Sequence, residues 1–235
     1  MIPFTHLKYT FVAATCMGLL ISCGAKDSDK IGEAQLCLDK AVQGAAAGCM
    51  EKISGIESKG AYTLRCSAGF IDEGFTQPAR FKSAFDALST SGGLNTEAFF
   101  GVLAFNSKAN STANKNFASE TYLNCTKSEA KGMMLLGSMA TTATTLAALA
   151  VGGPYVNGAQ PTPAQINGAL TAALGDPVAL AAIGSAVSTT YTASCLTGTK
   201  ADAALCSQLD SALGPVDITN PTAVANAILT YWKNN

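Results

Sequence analysis

Apolar residues recur at helical spacing along most of the chain, and they mark short segments. Leu36, Leu38 and Val42 mark a first helix, from Glu33 to about Gln43-Gly44. Cys49, Met50 and Ile53 mark a second, over 45–53. Tyr62, Cys66 and Phe70 lie four apart on one stripe and predict a third over 61–70, broken by Gly74 and Pro78. Phe81, Ala84, Phe85 and Leu88 predict a fourth over 79–88. After the loop at 89–93, Asn95 or Thr96 caps a helix through Glu97, Phe99, Phe100 and Leu103. Residues 106–116 are polar and low in complexity, which predicts an exposed loop before a short helix over 117–125. Thr126-Lys127-Ser128-Glu129 reads as a capping box for the apolar run that follows. No alternating run is long enough to predict a strand.

That run, Met133 to Val151, is uncharged and long enough to cross a bilayer. It holds Thr141, Thr142, Thr144, Thr145, Ser138 and Gly137, which favours a buried central helix. Gly152-Gly153-Pro154 ends it. Beyond it the punctuation is regular. Thr162-Pro163-Ala164-Gln165 supplies an N-cap, an N1 proline and an N3 glutamine for a helix to Leu174. Asp176-Pro177 opens the next, toward Thr192. Thr199 and Asp202 open another, ended by Gly214-Pro215. Asn220-Pro221 opens the last, through Val224, Ile228 and Trp232. The predicted class is therefore all-α, with helical hairpins followed by an Ala-rich bundle.

The N-terminus carries a different pattern. Lys8 precedes an apolar stretch, Thr10 to Leu20, of signal-sequence length. Leu20-Ile21-Ser22-Cys23 follows, then Gly24. These residues resemble the bacterial lipoprotein lipobox. The resemblance implies cleavage before Cys23, diacylglycerol on its sulfur and an N-acyl (palmitate-type) chain. With Gly24 and Ala25 after the cysteine it also implies outer-membrane sorting, with the body facing the periplasm. Domain organisation is then a signal peptide over 1–22, a flexible tether over 23–31 and one all-α domain over 32–235. Within that domain, 32–90 form repeat-like hairpins and 91–235 further packed helices.

Residues 45–88 also resemble degenerate tetratricopeptide repeats. "CMEKI" is similar to the end of one repeat's second helix. "AYTLRCSAGFIDEGF" is similar to the next first helix, and "RFKSAFDAL" to its partner, without the family's Trp and Pro landmarks. The resemblance implies helix pairs that stack to bury their faces.

Composition narrows the chemistry. The lone histidine, His6, lies in the signal segment. The remainder cannot build a Ser-His-Asp or Cys-His nucleophile or a histidine-containing metal site. A net charge of −1 gives no electrostatic case for nucleic acid. No catalytic, metal or cofactor residue is assigned, and the ligand-binding residues are left open. Asp72-Glu73 reads as solvated surface, because adjacent helix residues do not face each other. Ser128 and Lys131 have the S-x-x-K spacing of penicillin-binding enzymes, but S-D-N and K-T-G are absent, so the cap is preferred.

Beyond Cys23 stand Cys37, Cys49, Cys66, Cys125, Cys195 and Cys206. An even set in an oxidising compartment points to disulfides. Cys37 and Cys49 are symmetric about Gln43-Gly44, although Cys49 and Cys66 are equally symmetric about Ile56 to Lys59. Cys195 and Cys206 straddle Thr197-Gly198-Thr199. The pairing chosen is Cys37–Cys49, Cys195–Cys206 and, by remainder, Cys66–Cys125.

Charge is unevenly spread. From residue 132 onward only Asp176, Lys200, Asp202, Asp210, Asp217 and Lys233 are charged. Such a half either buries its surface or meets something apolar. The expected role is a membrane-anchored helical lipoprotein that binds or scaffolds another envelope protein. The alternative is a carrier of a lipid or apolar ligand within a transport system.

Overall fold

The computed structural model describes residues 26–80, 82, 96–150, 160–196 and 203–234. The lipobox, Cys23 and most of the predicted 79–88 helix lie outside these residues. Among the described residues the fold is all-α, with no strand. The helices are α1 (Asp27–Leu38), α2 (Ala46–Met50), α3 (Lys59–Asp72), α4 (Thr96–Leu103), α5 (Ser111–Ser128), α6 (Lys131–Leu149), α7 (Pro163–Ala173), α8 (Pro177–Tyr191), α9 (Ala203–Leu213) and α10 (Pro221–Asn234). A 3-10 turn, Glu51–Ile53, extends α2, and a π turn, Thr192–Leu196, extends α8.

The caps explain where the later helices begin. Thr162 accepts from the Gln165 N–H while the Gln165 side chain reaches back to the Thr162 N–H, with Pro163 in the first turn. Asp176 accepts from the N–H groups of Val178 and Ala179. Asn220 accepts from Ala223 N–H.

Three expectations are corrected. The tether is shorter than 23–31, because α1 begins at Asp27 and Ile31 packs on Ala34 and its neighbours. Acidic Asp27 and Asp29 in the first turn favour that start through the helix dipole. The loop expected over 106–116 ends at Asn110, whose side chain caps α5 by accepting from Ala113 N–H. Its polar residues are partly interior: Asn106 and Asn114 are 2% and 1% exposed. Finally, Thr126 caps nothing. It lies inside α5 and donates to Tyr122 O, while Glu129 ends that helix in the left-handed region at φ 58°. Ser128 donates to Cys125 O and accepts from Ala130 N–H, so the S-x-x-K serine ties up a helix end.

α6 is the central helix and packs against α4, α5, α7 and α8. It and the stretch Pro177–Leu196 are long and apolar enough to cross a membrane by length and composition. In the fold, every α6 residue from Ala140 to Ala147 is buried. A threonine-rich helix can serve as core because its hydroxyls bond locally. Thr144 donates to Ala140 O and accepts from Phe105 N–H, Thr145 donates to Thr141 O, and Thr141 donates to Ala118 O.

The main core joins Phe100, Leu146, Ile166, Leu170, Ile183, Leu213 and Ile228. A smaller one joins α1, α2 and α3 around Ile53 and Leu64. Between them Phe70, Phe105, Cys66 and Cys125 form a third cluster, and Phe75 and Leu136 touch both it and the main core. Two glycines set how closely helices approach. A Cβ on Gly69 of α3 would lie 2.2 Å from Thr121 Oγ1 of α5, and one on Gly184 of α8 would lie 1.7 Å from Pro221 O of α10.

Candidate functional site

The polar centre of the molecule is built at the end of α3. Gly74 takes φ 84°, a conformation open to glycine. Gly74 N–H then donates to Ile71 O, and Phe75 N–H to Phe70 O, which is the Schellman arrangement. The accompanying apolar contact is Phe70 against Phe75, edge to face at 5.2 Å. This turn directs the two preceding carboxylates inward and apart.

Asp72 is 5% exposed and Glu73 0%, so the expectation of solvated surface is corrected. Asp72 Oδ1 accepts from Ala46 N–H at 2.6 Å. It caps α2, whose own N-cap, Ala45, has no side chain to do so. Glu73 Oε1 accepts from Asn106 N–H, and Oε2 from Ser107 N–H at 3.3 Å. Arg80 faces Glu73, with Nη1 3.3 Å from Oε1, and its side chain is 9% exposed. Nη1 also donates to Glu73 O, Nε to Val102 O and Nη2 to Ala104 O. The guanidinium thereby satisfies carbonyls left open at the end of α4, and it lies over the Phe75 ring at 4.1 Å. Burial pushes its pKa below the ordinary arginine value, while the Glu73 charge and hydrogen bond oppose that.

This node fastens three chain segments. Glu73 and Arg80 are engaged by backbone groups and by each other, and Asp72 by Ala46 N–H, which holds those segments together. Beside it opens a pocket of about 260 Å³, lined by Gln43, Gln77, Asn106 and Gln160 as well as Glu73 and Arg80. Gln77 Nε2 donates to Gln43 Oε1 across it at 2.6 Å. Among the described residues, no group of three or more His, Cys, Asp or Glu side chains is placed to hold a metal ion.

All three disulfides are formed. Cys37–Cys49 joins α1 to α2 with Cα atoms 5.6 Å apart. Cys66–Cys125 joins α3 to α5 at 4.9 Å, and Cys195–Cys206 joins the π turn to α9 at 5.4 Å. The turn symmetry about Gln43-Gly44 is thus the one used, and Cys49 does not pair with Cys66. Near the third bridge, Tyr191 donates to Asp210 at 2.6 Å, and burial together with that bond pushes its phenol up to about 12.

The outer face of the second half is the other distinctive surface. On α7 the exposed positions are Pro163, Ala164, Asn167, Gly168, Thr171 and Ala172; on α8 they include Val178, Ala181, Ala182, Ser185 and Thr189. None is charged. The scarcity of charge therefore has two causes, a buried α6 and an uncharged exterior on α7 and α8.

No family model, no curated protein and no solved structure matches this chain.

Proposed function

We propose that the protein is a lipid-anchored lipoprotein of the bacterial outer membrane that faces the periplasm and presents a helical surface to another envelope protein. The observation that carries this reading is the uncharged exterior of α7 and α8. A surface without charge is cheap to desolvate, which is what the core of a protein contact requires. Three disulfides fit an oxidising compartment. An acyl anchor would hold the body near membrane partners and raise its effective concentration for them.

The apolar gap among the described residues is too small for the lipid of the alternative, carrier reading. Enclosing a ligand of that size takes roughly 300 Å³ or more of apolar space. The apolar gap among α6, α8, α9 and α10 measures about 30 Å³. The anchor is tested by Cys23→Ala, which should release the protein from the membrane fraction or leave it unprocessed. Retention after carbonate washing would point instead to insertion of 133–151. The contact itself is tested by cross-linking from α8 in intact envelopes.

A further inference from the structure

A groove of about 250 Å³ runs along α3 between α2 and α5. One face of α3 lines it, with Arg65, Ala68, Gly69 and Asp72 at helical spacing. Asp72 stands at one end. It is 5% exposed, and its Oδ1 is taken by Ala46 N–H. Oδ2 has no hydrogen-bond partner, and no lysine or arginine among the described residues pairs with it. Nor is Oδ2 sealed off: the described side-chain atoms that are both sealed and unpartnered are Ser107 Oγ and Thr142 Oγ1. Oδ2 is therefore reachable from the groove that Asp72 lines. A carboxylate this buried, with one hydrogen bond and no counter-charge, is costly to keep.

Arg65 stands at the other end. Its Nη2 donates to Ile53 O and its guanidinium lies over the Tyr62 ring at 5.1 Å, which leaves Nε and Nη1 unbonded. Two helical turns, about 10 Å along the axis, separate the Cα atoms of Asp72 and Arg65, and the guanidinium leans further off, toward Tyr62. The walls between are apolar: Ala47 and Met50 of α2, Ala68 of α3 and Phe117 of α5. Glu120 and Asn124 of α5 lie on the exposed rim, where the Glu120 charge is solvated and counts for little.

We infer that this groove binds a linear zwitterion, a molecule with a primary ammonium at one end, a carboxylate at the other and an alkyl chain between. The ammonium donates to Asp72 Oδ2, the carboxylate accepts from Arg65, and the chain lies against Met50 and Phe117. A spacer of about five methylenes fits that span once a hydrogen bond is allowed at each end. This inference does not depend on the protein contact proposed above.

The experiment titrates the purified protein calorimetrically with 6-aminohexanoate. Saturable binding is expected. Hexanoate and hexylamine, which each lack one charge, should bind about tenfold to a hundredfold more weakly, because hydrogen bonds to charged groups are the strong ones. 4-Aminobutanoate, too short for the span, should lose about as much. Trialanine, with the same end charges on a polar backbone, should also bind more weakly than 6-aminohexanoate. Asp72→Asn keeps an Oδ1 for Ala46 N–H and so should leave circular dichroism unchanged, yet it should abolish the advantage of 6-aminohexanoate over hexanoate. Arg65→Gln should abolish its advantage over hexylamine. Absence of saturable binding by the wild type would overturn the inference. So would equal wild-type affinity for 6-aminohexanoate, hexanoate and hexylamine, or tighter binding of trialanine.

Discussion

Glu73→Gln should destabilise the protein by about 3 kcal/mol or more, although it changes one oxygen to nitrogen. The carboxylate is 0% exposed and its partner Arg80 is 9% exposed, so the guanidinium would be left buried without its counter-charge. Removing one member of a buried pair costs roughly 3 to 5 kcal/mol. The new amide N–H₂ would also face donors, because Asn106 N–H, Ser107 N–H and Arg80 all point at the carboxylate. Urea unfolding measures the effect. The combination with Arg80→Gln should be less damaging than the two single costs added together, since both report one network. A single-variant loss under about 1 kcal/mol would mean that the node is not a fastening point.

Removing the Cys66–Cys125 bridge should cost more than removing either of the others. Its half-cystines are 59 residues apart, against 12 and 11 for the other two. Chain entropy then assigns it about 4 kcal/mol and each short bridge about 3 kcal/mol. Alanine is the suitable replacement, because Cys66 and Cys125 are fully buried and serine would add hydroxyls to that interior. The bridge also holds the Gly69–Thr121 crossing of α3 on α5. Urea midpoints for the three alanine pairs give the order. Equal losses would show that loop length does not govern these bridges.

The parts of this fold that were legible in the sequence are those specified locally. The Thr162 box, Asp176 and Asn220 each act on N–H groups within three residues, and all three begin helices. Cys37–Cys49 and Cys195–Cys206 are accessible for a related reason, since a short turn sets flanking cysteines opposite each other, whereas Cys66–Cys125 spans 59 residues and follows only by remainder. The Thr126 motif has the same letters as a capping box, yet the helix runs through it. A local motif does not register that the residues before it are already helical. The polar node was out of reach for a different cause. Asp72 is fixed by Ala46, and Glu73 by Asn106 and Ser107, contacts made across 26 to 34 residues. Adjacency correctly implied that the two acids do not face each other. It carried no information about what each faces instead. Asn106 and Asn114 were misplaced in the same way, because polar composition does not distinguish a solvated side chain from a buried one with a partner. Lys108 N–H donates to Asn114 Oδ1, which is what admits Asn114 to the interior.

The proposed role rests on the α7–α8 exterior being a contact surface, and site-specific photo-cross-linking in intact envelopes tests it most directly. Ala182 and Ser185 are exposed on α8, and Glu33 and Glu57 are exposed on the N-terminal half. A photoreactive residue at any of these four positions leaves the core untouched. Placed at 182 or 185 in the full-length anchored chain, it should yield one discrete protein adduct, and at 33 or 57 it should not. Absence of an adduct from both α8 positions, in protein that is folded and membrane-bound, would contradict the account.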